Sequence, residues 1–362
     1  MTAAGVRDEA SNGLAPAALA RLSDWLAARV PGFAAPVALQ RFAGGQSNPT
    51  YLLTDARGMR CVLRKKPDGQ LLPSAHAVER EYRVIAALQD SAVPVAPALG
   101  LCEDAGVIGT PFYVMGFVEG RILWDPALPG MAPQARGALY EAMNATVAAL
   151  HHVEPAAVGL ADYGRPGDFF ARQIARWTRQ YQAAMEGSDL EPIAAMDRLI
   201  EWLPAQRPPA EETRLFHGDL RLDNMIWHPT EPRVLAVLDW ELSTLGHPLA
   251  DFAYHALPWR LTAGQFRGMA GQDLAALGIP AEQDYLAAYC RRVGRGPLDP
   301  AHWEFCLAYS MFRLAAILQG IARRARDGTA SSAQAHETGA LARPVAETAW
   351  RQVVAHFPRA AR

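Results

Sequence analysis

The sequence contains almost no lysine. Of its 35 lysines and arginines only Lys65 and Lys66 are lysines, and they are adjacent. A GC-rich coding sequence explains the scarcity but not the location. Cysteine is also sparse. Cys61, Cys102, Cys290 and Cys306 are scattered, with no pair at C-x-x-C spacing, so neither a zinc site nor a disulfide framework is indicated. A reducing cytoplasm fits that usage. Long apolar runs are missing. Residues 234–238 are typical of those present and are far too short to span a bilayer. The N-terminus lacks the basic start and continuous apolar stretch of a signal peptide, so no membrane partner is expected. A formal net charge of −2 gives no electrostatic reason to expect nucleic acid.

What is present is enough apolar material for a sizeable interior. Half of the 362 residues are apolar and a fifth are charged, the balance of an ordinary globular protein. The length is large for one compact core and suits two lobes sharing a cleft. Residues 1–14 are small and polar and read as a frayed end. Residues 17–30 repeat Leu19, Leu22, Leu26 and Val30 at helical spacing. Residues 37–42 and 50–54 read as strands around a turn at 43–48, and residues 60–66 as a third strand stopped by Pro67, Asp68 and Gly69. Residues 76–88 carry a strong helix pattern, broken by Pro94 and Pro97. Residues 112–118 read as another strand. Beyond them the chain is helical at 133–153 and 168–203, then proline-rich at 204–209. A short buried strand at 234–238 follows, and helices again after Pro248. The change of character near Val118 divides the chain into residues 1–118 and residues 119–362.

The densest chemistry lies at 217–239. The loop His217-Gly218-Asp219-Leu220-Arg221-Leu222-Asp223-Asn224 precedes the apolar run that delivers Asp239 at a strand end. Phosphoryl transfer needs a carboxylate to orient the attacking hydroxyl and take its proton, and oxygen ligands for the magnesium that neutralises the triphosphate. Asp219 can supply the first. Asn224 and Asp239 can supply the second, because magnesium takes few protein oxygens and completes its shell with water and phosphate.

H-G-D-x-x-x-x-N followed by L-D-W-E resembles the aminoglycoside phosphotransferase and choline kinase superfamily. The stretch Gly246-His247-Pro248-Leu249-Ala250-Asp251-Phe252-Ala253 strengthens the likeness, which spans roughly residues 36–260. The resemblance implies an α+β, protein-kinase-like, two-lobed fold with a small β-rich N-lobe and a larger, mostly helical C-lobe. It also implies Asp219 as catalytic base and Asn224 and Asp239 as magnesium ligands, with ATP as phosphoryl donor. Asp223 has no counterpart role and reads as solvated or loop-capping. His217 reads as a support of the loop. Glu241 can orient water around the metal or form a structural salt bridge. Asp251 is expected to tie the helix after the metal strand to the catalytic loop.

On the nucleotide side, Gly44-Gly45-Gln46-Ser47-Asn48 sits where a kinase folds a hairpin over the phosphates. Its small residues let backbone N–H groups approach phosphate, and Ser47 can add a hydroxyl. In Cys61-Val62-Leu63-Arg64-Lys65-Lys66 the resemblance puts Arg64 in place of the kinase strand lysine. Strand alternation places Val62, Arg64 and Lys66 on one face and Leu63 and Lys65 on the other, so Arg64 and Lys66 are both candidates for the phosphate cation. Glu81 is the expected partner, because it precedes the stripe Val84, Ile85 and Leu88; Glu79 is the runner-up. Residues 111–120 look like the hinge. Met115 would sit behind the adenine, with the Gly116 and Val118 backbones at its edge.

D-F-G and A-P-E are missing, which disfavours a protein kinase. The stretch from Arg64 to His76 looks like the subgroup of these domains associated with acyl-CoA dehydrogenases, where a hydroxyacyl-CoA is the implied hydroxyl acceptor. Residues 251–362 hold 13 arginines against 9 aspartates and glutamates. That balance suits an anionic small molecule better than a polycationic aminoglycoside. Arg323, Arg324 and Arg326 form a basic cluster that reads first as a solvated helix end and second as a phosphate contact. An amino-alcohol or antibiotic kinase, and a nucleotide-binding pseudokinase acting as a regulatory module, stand as alternatives. The intact Asp219, Asn224 and Asp239 argue against the pseudokinase.

Overall fold

A computed structural model of the chain describes residues 14–42, 48–67, 77–208, 212–330, 332 and 334–361. The frayed start up to residue 13, the 43–47 part of the first turn and most of the 64–76 stretch that marks the subgroup lie outside the described residues. In chain order, the first part comprises α1 (Pro16–Arg29), β1 (Ala38–Arg41), β2 (Thr50–Thr54), β3 (Arg60–Lys65), α2 (Val78–Ala87), β4 (Ala98–Cys102), α3 (Ala105–Ile108) and β5 (Phe112–Gly116). Then follow α4 (Pro133–His152), α5 (Phe169–Met185), α6 (Ala194–Ala205), β6 (Arg214–Phe216), β7 (Met225–Trp227), β8 (Val234–Val237) and β9 (Thr244–Gly246). The rest is helical: α7 (Pro248–His255), α8 (Leu274–Leu277), α9 (Glu282–Arg292), α10 (Pro300–Arg326), α11 (Ala335–Ala340) and α12 (Ala342–His356).

Two compact units result. The first comprises Met1–Leu123, Val158–Leu160 and Asp223–Ser243; the second comprises Trp124–Ala157, Ala161–Leu222 and Thr244–Arg362. They are the small β-rich and the larger helical lobes that the resemblance implies.

The first unit is organised by an antiparallel sheet of order β1-β2-β3-β5-β4. Pleat alternation sorts its side chains. Leu39, Leu53, Cys61, Leu63, Phe112 and Val114 join Leu22, Trp25 and Leu26 of α1 in one core, with Trp25 edge-on to Phe112 at 5.0 Å. Val62 and Arg64 point the other way, paired across the strands with Met115 and Tyr113. Strand β4 was not anticipated. Pro94 and Pro97 read as breakers, yet β4 starts directly after Pro97 at the sheet edge, where a residue lacking an N–H donor costs no ladder bond. The Pro97 carbonyl itself accepts the Gly116 N–H at 2.8 Å.

In the second unit the helix α10 is the spine, packed by α5, α7, α11 and α12. By length and composition α10 could cross a bilayer, but 78% of that stretch is buried inside the protein, which marks a core helix. The mainly helical 168–203 region forms the two helices α5 and α6. The chain turns between α5 and α6 around Gly187, whose φ of 62° suits glycine.

Candidate active site

Within the first unit, Arg64 is the centre of a charged cluster. Its Nε lies 2.8 Å from Glu81 Oε2, without in-line hydrogen-bond geometry, and its Nη2 lies 3.0 Å from Asp239 Oδ1 and 3.3 Å from Glu241 Oε2. Glu81 reaches this position because it shares the buried face of α2 with Val84 and Ile85, the spacing that helical periodicity requires. Asn48 Nδ2 donates to Glu81 Oε1 at 2.6 Å and the Tyr113 hydroxyl donates to Oε2 at 3.1 Å. Lys66 pairs instead with Glu79 at 2.7 Å. Lys65, on the opposite pleat, is buried. The two cations left open by the sequence therefore have separate glutamates, and Arg64 is the one joined to Glu81, Asp239 and Glu241.

Three carboxylates share this one guanidinium. Burial alone would lower Arg64, but the surrounding carboxylates outweigh it and hold the group charged. Burial pushes Glu81 up to about 7 against the pull of Arg64, and the Asp239 and Glu241 charges push the same way. The cluster carries more negative than positive charge, which a divalent cation would relieve.

Asn224 and Asp239 are brought to one end of the β7–β8 hairpin. Met225 pairs with Val237 in the ladder, and the Leu238 N–H donates to the Asn224 carbonyl at 2.8 Å. Asp239 then turns into the left-handed region, with φ 65° and ψ 60°. A non-glycine residue held there is over-determined by its surroundings, as at ligand-holding positions. Both residues offer hard oxygen donors of the kind magnesium takes. Among the described residues no group of three or more His, Cys, Asp or Glu side chains has a metal-holding arrangement, so a metal here would rest on these two and on ligand oxygens. Asp223, expected to be solvated or loop-capping, is buried at 9% exposure.

Met115 is buried on the Arg64 face of the sheet. A Cβ at Gly116 would stand 3.0 Å from Pro97 ring carbons, so close packing against β4's approach explains the glycine. The Gly116 N–H is taken by Pro97, as noted above. Val118 follows in the same hinge segment. Ser47 lies outside the described residues.

Residues 217–222 belong to the second unit and are held by Asp251 and His255. Asp251 of α7 accepts the His217 N–H at 2.7 Å and the Gly218 N–H at 2.9 Å. His151 Nε2 lies 3.3 Å from the same carboxylate, and its Nδ1 lies 2.7 Å from the Tyr289 hydroxyl. Burial would raise Asp251, but His151, His217 and the backbone donors hold it below the usual aspartate range. His255 Nδ1 lies 3.1 Å from the Leu220 carbonyl. Gly218 sits at φ 91°, a conformation L side chains rarely adopt. His217 is fully buried, and its Nδ1 accepts the Asp219 N–H at 3.1 Å, so it supports the loop. The Asp219 carboxylate meets Arg221 Nη2 at 3.0 Å and the Tyr254 hydroxyl.

Sequence reading missed Arg313, which donates to the Gly218 carbonyl. The available signal is an arginine inside the otherwise apolar run of α10. It weighted the basic cluster at 323–326 instead, where Arg323 pairs with Asp327 and Arg326 with Asp189, the solvated helix end that was its first reading.

A phosphotransferase enzyme family model matches residues 38–300. The chain is 53% identical to a candidate aminoglycoside phosphotransferase from Ralstonia eutropha of known crystal structure, with a TM-score of 0.83 over 92% of this chain and 97% of that one. It is 50% identical over 317 residues, 87% of its length, to mouse acyl-CoA dehydrogenase family member 10, of which the match covers only 29%. The chain thus spans under a third of that longer relative. A thermostable aminoglycoside phosphotransferase mutant bound to AMP-PNP and hygromycin B shares the fold, with a TM-score of 0.61 at 15% identity over 93% of this chain and 99% of that one.

Proposed function

The chain belongs to the phosphotransferase enzyme family, a small-molecule kinase that acts on hydroxyl groups, and from that premise we propose that it transfers the γ-phosphoryl group of ATP to an anionic acceptor, a hydroxyacyl-CoA. The observation that carries the reading is the Asp219 loop clamped by Asp251 in the second unit; within the first unit, separately, Asp239 is held in a left-handed turn beside Arg64.

In this reading Asp219 orients the acceptor hydroxyl and takes its proton as the O–P bond forms. Arg221 and Tyr254 hold the carboxylate. Arg64, beside Glu81, meets the α- and β-phosphates, and Met115 with the Gly116 carbonyl and the Val118 backbone cradles the adenine, the Gly116 N–H being taken by Pro97. Ser47 adds a hydroxyl to the phosphate loop. Asn224 and Asp239 would hold Mg2+, which when bound neutralises triphosphate charge. The donor chemistry fits, and the excess of carboxylates around Arg64 supports it. The relatedness to a protein named as an acyl-CoA dehydrogenase family member supports the acyl-CoA acceptor, and the buried, free cysteines support a cytoplasmic setting.

ADP release is measured with ATP and Mg2+ across hydroxyacyl-CoAs, choline and tobramycin. Release driven by hydroxyacyl-CoAs is the expected result. Release driven only by choline or tobramycin transfers the assignment to the amino-alcohol or antibiotic kinases. Tight ATP binding without any acceptor-dependent release revives a regulatory pseudokinase.

A further inference from the structure

Two arginines of the second unit, Arg313 beside Gly218 and Arg176 on α5, have no carboxylate partner among the described residues. Arg313 is 4% exposed. Its one hydrogen bond is to the Gly218 carbonyl, and its guanidinium lies 4.7 Å from the Tyr254 ring centroid and 5.4 Å from that of Trp177. Arg176, exposed on α5, lies over the same indole at 5.1 Å. Trp177 Nε1 and the Tyr309 hydroxyl are buried and face each other, and neither has a further hydrogen-bond partner among the described residues. Tyr309 and Arg313 stand four residues apart on α10 and so share a face. Burial lowers Arg176, and the Arg313 charge lowers it further, in keeping with two like charges close together.

An uncompensated buried guanidinium is costly, and buried polar groups are normally satisfied. Here the under-used groups are all donors, gathered around one indole, and Tyr254 links them to Asp219. We propose that Arg176 and Arg313, with the Trp177 N–H and the Tyr309 hydroxyl, bind an acyl oxygen of the acceptor and so orient its hydroxyl toward Asp219. The shared chemistry is an acyl oxygen close in bonds to that hydroxyl, from a free carboxylate or from a thioester. This deepens the proposed function and rests on it for the role of Asp219. It also gives Arg313 a task beyond bracing Gly218.

The test separates binding from turnover. Titration calorimetry of the full chain uses 3-hydroxybutyrate, 3-hydroxybutyryl-CoA and butyryl-CoA, which has no hydroxyl to phosphorylate. Wild type, Arg176→Gln, Arg176→Lys and Arg313→Lys are compared, with AMP-PNP affinity measured alongside. Arg176→Gln is the main variant because Arg176 is exposed and makes no contact with the catalytic loop. Loss of one charge-assisted contact should weaken the acyl probe by roughly tenfold or more, leave AMP-PNP affinity within about twofold, and be largely restored in Arg176→Lys. Preference for the free acid or for the thioester identifies the source of the acyl oxygen. Unchanged acyl binding in Arg176→Gln, equal weakening of AMP-PNP, or no acyl binding by wild type overturns the proposal. Arg176-dependent acyl binding without ADP release would leave this site standing and sink the kinase reading instead.

Discussion

At the scale of single residues, Asp251 shows how a buried charge builds a functional loop. Its carboxylate accepts two consecutive backbone N–H groups, from His217 and Gly218, and faces His151. Asp251→Asn would turn an amide N–H toward one of those donors, which costs about 1–3 kcal/mol for a buried unsatisfied group. We expect lower stability in urea together with a fall in kcat that exceeds any change in nucleotide affinity. A variant with wild-type kcat would show that the clamp does not position Asp219. At this scale much was legible. H-G-D-x-x-x-x-N singled out the loop that Asp251 clamps, and the stripe after Glu81 singled out the glutamate that lies against Arg64. Arg64 and Lys66 could not be separated, because alternation places them on the same face; only three-dimensional pairing gives each its own glutamate. Arg313 stayed hidden because one charge in an apolar helix is equally well a tolerated core residue.

At the scale of elements, the β7–β8 hairpin carries both proposed metal ligands, and its position in the first unit depends on close backbone approach. The Arg121 and Trp227 backbones exchange hydrogen bonds, each at 2.9 Å. A Cβ on neighbouring Gly120 would fall 2.4 Å from the Trp227 carbonyl oxygen. Backbone cannot yield as a flexible side chain does, so Gly120→Ala should destabilise by about 1–3 kcal/mol and weaken magnesium-dependent nucleotide binding through displacement of Asn224. Nucleotide affinity unchanged at full stability would contradict this coupling. Strands with strong alternation or long apolar character were legible: β2 spans Thr50–Thr54 as expected, and β3 and β5 end within two residues of expectation. The three-residue strands β7 and β9 and the edge strand β4 were not. Pieces so short lack a periodic signal of their own, and tertiary pairing makes them strands.

At the scale of the whole molecule, two buried histidines set an acid limit. Burial lowers His255 to about 4 and His247 to about 3, against roughly 6.5 in the unfolded chain. The unfolded state therefore binds more protons between these values, and stability falls as pH drops from 6.5 toward 4. Asp251, held below the usual aspartate range, adds a loss in the same direction at still lower pH. Glu81, raised to about 7, acts the other way and gains stability on protonation, so urea midpoints measured from pH 7.5 to 4.5 should rise slightly near pH 7 and decline below about 6 as the two histidines outweigh it. A midpoint independent of pH to 4.5 would show that these histidines are solvated or charged in the native state. The two-lobed class itself was legible, since a strand-rich third followed by helices admits few alternatives. The discontinuous assignment of Asp223–Ser243 to the first unit was not, because no local pattern records which core a short hairpin joins.

The central claim is phosphoryl transfer to a small-molecule hydroxyl through Asp219. Its most direct test follows the γ-phosphoryl group of labelled ATP into the acceptor for wild type and Asp219→Asn, with ATP affinity measured in the same samples. The account predicts that Asp219→Asn lowers turnover by roughly 10²–10⁴-fold, the share a positioned general base contributes, while ATP affinity stays within a few-fold. Near-normal turnover in Asp219→Asn would contradict it.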